Sequence, residues 1–336
     1  MSDGSPSHTD QAARVADVLV CVDCGASLRA EGAELLWCST CGARYEIDAG
    51  TARMLPGELR KSGRQTSSET EVRSRTAESF AYEWEAFGDI RPEWSKNFFD
   101  YMQPHRPEFF DGISVLDVGT GSGRHARIAA DLGAHVVAVD LGDSIDVARR
   151  NLPPDVITVQ ADAEALPLSP ESFDFVMSIG VLHHLPDTER ALRGLVRYVR
   201  PGGRLHVYLY WEPPRQGHRL ILRGVTLARR LTTRLPHRLL HIASYPLAAV
   251  LFATVVLPYR VMRRLPRLKP IADALPLKAY ADYPFGVLVN DQFDRFSAPI
   301  ERRFTRDEAE QMMRDAGLVD VVVLPNNGWV CDGRRP

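Results

Sequence analysis

A series of short apolar runs, each closed by a polar or glycine-rich stretch, divides the middle of the chain. The runs at residues 115–118, 135–139, 156–160 and 173–178 have the length and the Val and Ile content of buried strands. Between the first two runs, apolar residues recur three or four positions apart over 126–132, which predicts a helix. Strands that alternate with helices in this way predict an α/β fold with a parallel sheet.

Three glycines follow the first run at alternate positions, Gly119, Gly121 and Gly123. A strand, a glycine turn and a helix N-terminus form a cradle, because bare backbone lets a ligand approach and the free N–H groups attract polar atoms. The order here, with Asp117 two residues before Gly119, differs from the G-x-G-x-x-G pattern of dinucleotide sites. A carboxylate there would repel a pyrophosphate but suits an ammonium group, so the pattern favours S-adenosylmethionine over NAD.

Acidic residues also close the next two runs. Asp140 is placed to accept hydrogen bonds from both ribose hydroxyls, as an acid does in dinucleotide folds. Asp162 is placed to accept a hydrogen bond from an adenine amino group. The carboxyl ends of parallel strands meet at one sheet edge, where α/β folds bind ligands. We therefore predict one cofactor site along this edge. The site includes Leu141 and Ala163, which follow the two aspartates, and also Ser178 and Ile179, at and just after the end of the fourth strand.

These segments together resemble the class I S-adenosylmethionine-dependent methyltransferases. The resemblance rests on VLDVGTGSG, VVAVD, ADAEALPL, FDFVMSIGVLHHL and VRPGG, which cover roughly residues 113–211 in family order, with a last helix and strands near 304–336. It implies an α/β, Rossmann-like, seven-stranded sheet with helices on both faces, of the ubiquinone and menaquinone biosynthesis type. The core would occupy residues 77–212 and 301–336. Thr120 stands where many relatives carry Cys, a difference that we expect to matter little.

Two adjacent histidines, His183 and His184, follow the fourth strand, where the methyl end of the cofactor should lie. A neutral imidazole can act as a general base, and we select His184 for this role. The alternative is that one histidine packs internally and the other bonds to the backbone. In related enzymes the helices before the first sheet strand close over the cofactor, so Tyr82, Trp84 and Phe87 are candidates for such a cover; packing on the core is the alternative.

Two C-x-x-C pairs lie thirteen residues apart near the N-terminus, and their cysteines are Cys21, Cys24, Cys38 and Cys41. Four thiolates on two tight turns predict a closed, structural Zn²⁺ site, without which a segment this short could hardly fold. We place a zinc ribbon at residues 18–56, which resembles the small zinc-ribbon proteins found beside or fused to methyltransferases and so implies a protein partner or a stabilising contact. The alternative, a disulfide pair, is disfavoured in a chain without a secretion signal.

Composition adds a location and two irregular segments. With 336 residues, 45% hydrophobic residues and a net charge of −2, the chain is globular and is not a general polyanion binder. The polar start predicts a disordered segment at 1–17 and no signal peptide, hence a cytoplasmic protein. The Ser, Thr and charge content of residues 57–76 predicts a linker.

The segment 213–300 departs from a minimal methyltransferase, and we predict a helical lid inserted after the fifth strand. Residues 213–272 contain twelve Lys or Arg and no Asp or Glu. A basic amphipathic helix with a leucine stripe, followed by the nineteen uncharged residues 239–257, predicts a membrane contact through 215–265 at the inner face of a membrane. Three readings of 239–257 stay open here: a buried lid helix, a helix in the interface, or a span.

The leading functional hypothesis is methylation of a small, apolar or lipid-like acceptor by the S-adenosylmethionine cofactor. A second hypothesis is RNA methylation, because the insertion is basic enough to contact phosphates. Against it, the sequence contains no N-P-P-Y-type tetrapeptide and no evident base-stacking platform. A third is a cofactor-binding scaffold without catalysis, which Asp117, Asp140 and Asp162 disfavour. The sequence does not determine which atom is methylated.

Overall fold

A computed structural model describes residues 8–60, 68–90, 93–213, 216–274 and 278–336. The chain divides into two compact units. The core unit comprises Met1–Pro213 and Ile300–Pro336, and the helical unit comprises Pro214–Pro299.

One mixed sheet organises the core unit. Its strands lie in the order β1-β2-β3-β4-β7-β6-β5-β8-β9-β11-β10. The bounds are β1 Leu28–Glu31, β2 Leu35–Cys38, β3 Arg44–Asp48, β4 Thr51–Arg53, β5 Ser114–Val118, β6 His135–Asp140, β7 Ile157–Gln160, β8 Phe173–Ile179, β9 Val199–Leu209, β10 Val319–Pro325 and β11 Trp329–Arg334.

Helices flank this sheet and make up the other unit. The core unit contains α1 His8–Val18, α2 Gly57–Arg60, α3 Ser68–Phe87, α4 Glu93–Tyr101, α5 Arg124–Asp131, α6 Ser144–Asn151 and α7 Thr188–Val196. The helical unit contains α8 Gln216–Thr232, α9 His237–Leu251, α10 Leu257–Met262, α11 Lys269–Ala274 and α12 Phe285–Ser297, with a π-helical turn at Phe252–Val256. The chain then returns to the core unit with α13 Arg306–Asp315.

The α/β fold is confirmed, but the sheet has eleven strands, not the seven predicted. Strands β5 to β9 are parallel where they pair, and β10 and β11 add an antiparallel edge. The four additional strands belong to the predicted zinc ribbon: β4 pairs in parallel with β7, with Ala52 opposite Val159. The hydroxyl oxygens of Thr51 and Thr158 lie 3.0 Å apart across this pair. A three-residue strand such as β4 is held by the edge it pairs with, and no local sequence pattern predicts such pairing.

Successive side chains along the strands point to opposite faces of the sheet, and apolar residues pack on both faces. On β5, Val115 packs with Phe175 in one apolar cluster, whereas Leu116 and Val176 belong to the other. That second cluster also contains Leu36, Tyr45 and Met54 from the ribbon. The ribbon therefore shares a hydrophobic core with the sheet instead of forming an isolated module.

Two segments expected to be irregular are partly helical. Residues 8–17 of the predicted disordered start lie in α1, whose Ala12, Val15 and Ala16 are buried at helical spacing. The predicted linker 57–76 contains α2 and the first nine residues of α3, including the buried Thr76. In both cases tertiary packing overrides a polar composition. Residues 1–7 and 61–67, which belong to the same two predictions, lie outside the described residues.

The insertion after the fifth core strand, β9, is helical as predicted. Helix α12 packs against both α8 and α9 within the helical unit. Arg229 of α8 is 5% exposed, and its Nε donates to the carbonyl oxygen of Arg295 at 2.6 Å. The function of this unit as a lid stays a prediction.

Candidate functional site

The glycine turn after β5 adopts a backbone that requires glycine. Gly119, Gly121 and Gly123 have φ values of 77°, 57° and 81°. A Cβ atom on Gly119 would lie 2.3 Å from Cγ2 of Val181, and one on Gly121 would lie 2.6 Å from Nε1 of Trp84. The turn is thus fixed both by left-handed backbone and by side chains that close over it.

Asp140 is held in place by backbone donors at the end of β6. Its Oδ2 accepts a hydrogen bond from the N–H of Gly121 at 2.9 Å, and its Oδ1 accepts one from Gly142 at 3.1 Å. Burial raises the pKa of Asp140, and hydrogen bonds from the backbone N–H groups of Gly121 and Gly142 oppose that rise. Each carboxylate oxygen keeps a lone pair for a further donor.

A cavity of about 770 Å³, open mouth included, lies at the carboxyl ends of the central strands. Seven of the predicted site residues line it: Gly119, Asp140, Leu141, Asp162, Ala163, Ile179 and His184. The sheet edge predicted from the acidic strand ends therefore does form one wall of a cavity.

Four predicted residues lie behind that wall: Asp117, Gly121, Gly123 and Ser178. Asp117 is 2% exposed, and burial raises its pKa to about 7. The Thr120 hydroxyl donates to Oδ2 of Asp117 at 2.7 Å, and the Ser178 hydroxyl donates to the carbonyl oxygen of Val118 at 2.9 Å. Asp117 and Ser178 thus brace the turn from beneath. Thr120, expected to matter little, takes part in this bracing.

The opposite wall of the cavity comes from α3, and most of it was not predicted. The residues that line the cavity are Arg73, Thr76, Ala77, Phe80 and Trp84. Their spacing of three, one, three and four places them on one face of a helix. Arg73 and Thr76 fall within the predicted linker 57–76, whereas the same helix face continues from Ala77 to Trp84 in the predicted core. Of the three aromatic residues proposed as a cover, Trp84 lines the cavity, whereas Tyr82 and Phe87 do not.

Arg73 joins α3 to the sheet edge through two carboxylates. Its Nη1 lies 2.7 Å from Oδ2 of Asp162 and 2.5 Å from Oε2 of Glu164. The three side chains are mostly buried, at 15%, 5% and 16% exposure, so water screens these ion pairs less than surface ones. The predicted adenine acceptor, Asp162, therefore already receives a donor, and Oδ1 of the same carboxylate accepts from the N–H of Glu164 at 3.0 Å.

His184 lines the cavity and is 3% exposed. Its Nδ1 lies 2.7 Å from the carbonyl oxygen of Ile300, and because a carbonyl only accepts, Nδ1 must carry a proton. In the neutral ring Nε2 then keeps its lone pair. The Phe80 ring packs edge-on against His184 with centroids 5.0 Å apart. Its neighbour His183 is fully buried and stacks on Tyr210, with centroids 3.8 Å apart.

The four predicted metal ligands, Cys21, Cys24, Cys38 and Cys41, lie together, with sulfur atoms all within 4.8 Å of one another. The Sγ atoms of Cys21 and Cys41 are 3.5 Å apart, as are those of Cys24 and Cys38. Sulfur atoms bound tetrahedrally to zinc would lie about 3.8 Å apart.

Two matching turns present these thiols. The N–H of Gly25 donates to the carbonyl oxygen of Cys21 at 2.8 Å, and the N–H of Gly42 donates to that of Cys38 at 2.9 Å. A backbone hydrogen bond from Cys41 lowers the pKa of Cys38 to about 6. All five cysteines of the chain are free of disulfides. The geometry is therefore compatible with a Zn²⁺ site.

Part of the core unit is similar to known proteins. Residues 116–207 match the family model described as Methyltransferase domain. The chain contains a class I methyltransferase domain. Demethylmenaquinone methyltransferase of Clavibacter sepedonicus is 36% identical over 121 residues, which are 34% of this chain and 49% of that protein. Ubiquinone biosynthesis O-methyltransferase of Xylella fastidiosa is 34% identical over 131 residues, 37% of this chain and 52% of that protein.

Among solved structures, one shares sequence similarity with part of the chain. An S-adenosylmethionine-dependent methyltransferase from Mesorhizobium loti is 31% identical and covers 32% of this chain and 50% of that one, with a TM-score of 0.29. The chain spans about half the length of the curated relatives described above. The matched family model covers residues 116–207, within the core unit.

Proposed function

We propose that the protein is an S-adenosylmethionine-dependent methyltransferase that acts on a small, apolar or lipid-like acceptor. The observation that carries this proposal is the cavity itself. A glycine turn and two fixed carboxylates form one wall, and a helix face with Phe80 and Trp84 forms the other.

The residues present fit the cofactor group by group. The free lone pairs of Asp140 suit two ribose hydroxyls, and the turn at Gly119 gives close access to backbone for the amino-acid portion. Asp162, Leu141 and Ala163 would surround the adenine. When bound, the cofactor supplies an electrophilic methyl group. The protein's contribution is to align that group with the acceptor and to exclude water.

The acceptor end of the cavity is apolar with one basic group. Val181, Leu185 and Phe80 supply apolar surface around His184. The His184 Nε2 lone pair can accept the proton that a hydroxyl acceptor loses on methylation. A ring-shaped acceptor such as those in the names of the quinone-pathway relatives would suit these surroundings.

The decisive experiment incubates the full chain with methyl-labelled S-adenosylmethionine and an extract of its source cells, and then separates organic, aqueous and acid-precipitable fractions. We expect label in the organic fraction, absent when Asp140→Asn replaces the wild type. Label in a nuclease-sensitive precipitate would instead favour RNA methylation. Cofactor binding without label in any fraction would favour a scaffold.

We also propose that the four cysteines hold one structural Zn²⁺. Elemental analysis should find about one zinc per chain in the wild type and almost none in Cys38→Ser, with a lower unfolding temperature in the variant because metal binding contributes to folding. Cys331→Ala is the control, because Cys331 is buried elsewhere and should keep the zinc. Equal zinc content in all three proteins would contradict the site.

A further inference from the structure

The helical unit exposes a long apolar face. Among the described residues, His237–Met262 is the one helical segment long and apolar enough to cross a membrane, and only 22% of its apolar window is buried. Its exposed Leu, Ile and Val residues recur at positions that share one side of a helix. They are Leu239 at 51% exposure, Ile242 at 68%, Leu247 at 36%, Val250 at 58%, Leu257 at 49% and Val261 at 55%.

Helix α8 repeats this arrangement. Leu220, Leu227 and Leu231 are exposed by 68%, 62% and 70%, and their spacing of seven and four residues places them on one stripe. A soluble monomer seldom leaves so many large apolar residues on adjoining helices in contact with water.

The buried side of α9 carries smaller residues than its exposed side. Leu240 is buried, but the next two buried positions are Ser244 and Ala248. The Ser244 hydroxyl returns to the carbonyl oxygen of Leu240 at 2.9 Å. Polar Gln292 is likewise buried on the partner helix α12. A helix that packs on a protein surface in water usually buries its Ile and Val and exposes its Ser. Helix α9 shows the opposite pattern, so its outer face requires an apolar environment.

The basic residues around this apolar face indicate which apolar environment it contacts. Residues 213–272 carry twelve basic and no acidic side chains. Arg223 and Arg230 are exposed on α8, and Arg234 is exposed just after it. Arg238 is exposed at the start of α9, and Arg264 is exposed just after α10. Apolar residues flanked by cations match the acyl and headgroup layers of an anionic bilayer.

The packing of α9 favours an orientation in the membrane plane. The rings of His241 and Phe293 lie 6.0 Å apart, which fixes α9 beside α12. Helix α12 carries Asp291, Asp294 and Arg295, and a spanning α9 would bring these charges into the hydrocarbon layer. Arg238 and Arg264, at opposite ends of the segment, would also lie on opposite sides of the membrane.

We propose that the helical unit docks on an anionic lipid bilayer, with α8 and the α9–α10 segment lying in the interface and their exposed apolar residues inserted among the acyl chains. The arginines contact the lipid phosphates. This docking does not depend on the methyltransferase activity and can be tested separately.

Vesicle flotation with the full chain tests the proposal, using neutral phosphatidylcholine vesicles and vesicles that also contain phosphatidylglycerol. Binding to the anionic vesicles should exceed binding to the neutral ones by at least about tenfold. Ile242→Asp with Val250→Asp should abolish flotation at low and high salt, because it places charge in the inserted face. The triple variant Arg223→Glu, Arg230→Glu and Arg234→Glu should lose the preference for anionic lipid.

Ile90→Asp is the matched control, because Ile90 is an apolar residue of the core unit with 38% exposure. It should bind like the wild type, and circular dichroism should show all variants folded. Three results would overturn the proposal. These are absence of wild-type flotation, retention in cell membranes after an alkaline carbonate wash, which indicates a span, and a dimer in sedimentation that Ile242→Asp dissociates without any lipid binding.

Discussion

The two walls of the cavity differ in how they are held. The sheet wall is fixed locally: Asp140 is bonded to backbone N–H groups of Gly121 and Gly142, and the glycine turn leaves no space for a side chain. The α3 wall is held by side chains that reach across, above all Arg73 to Asp162 and Glu164. The sheet wall is therefore fixed by its own backbone, whereas the position of the α3 wall depends on side-chain contacts with the sheet edge.

The largest effect is expected at His184, the proposed proton acceptor, which lines the cavity between the two walls. His184→Gln keeps a donor for the carbonyl of Ile300 but removes the basic nitrogen. We expect kcat to fall by about 100-fold or more, with cofactor affinity unchanged. His135→Gln, at an exposed histidine on β6, is the control and should retain activity. An unchanged kcat in His184→Gln would show that His184 does not act as the general base.

A smaller effect is expected from Arg73→Ala, which breaks the link between the walls. The mostly buried ion pairs hold α3 over the cavity, so their loss should weaken cofactor binding by about tenfold. It should also lower the unfolding temperature, because the carboxylates of Asp162 and Glu164 lose a buried cationic partner. Arg75→Ala is the matched control, since Arg75 forms an exposed pair with Glu71 on the same helix. Tighter cofactor binding by Arg73→Ala would show that Arg73 competes with the cofactor for Asp162.

The smallest effect concerns Asp117 beneath the sheet wall, measured without cofactor. Its pKa is raised from 3.8 to about 7 by burial. Stability linked to this group is thus complete below about pH 4 and is lost as the pH rises through about 7, by about 1.4 kcal/mol per pKa unit. Asp117→Asn removes this dependence, so its unfolding temperature should gain on the wild type between pH 5 and pH 8. A constant difference across that range would contradict the raised pKa.

The same contrast explains what could be predicted from the sequence. The sheet wall follows from short-range signals: glycines that need positive φ, and acids at strand ends such as Asp140 and Asp162. The α3 wall depends on tertiary packing of a segment with linker-like composition, although Arg73, Thr76 and Phe80 already stood at helical spacing. Strand β4 gave no signal because its pairing with β7 joins residues over one hundred positions apart.

In the helical unit, the charge and the apolar pattern could be predicted from the sequence, but the side on which α9 packs could not. Its basic charge and leucine stripe were evident in the sequence, and so was the absence of formal charge over 239–257. Which side of α9 is buried could not be predicted, because both Ser244 and Ile242 lie in an apolar run. The contact with α12 decides that the smaller residues face inward.

The central claim is that the cavity binds S-adenosylmethionine through Asp140. Calorimetric titration of the wild type and Asp140→Ala with S-adenosylmethionine tests it most directly, and Asp131→Ala, at an exposed aspartate on α5, serves as the control. We expect one site per chain in the wild type and the control, and a loss of affinity of about 100-fold in Asp140→Ala, because two charge-assisted hydrogen bonds are removed. Equal affinity in all three proteins, or no binding by the wild type, would contradict the account.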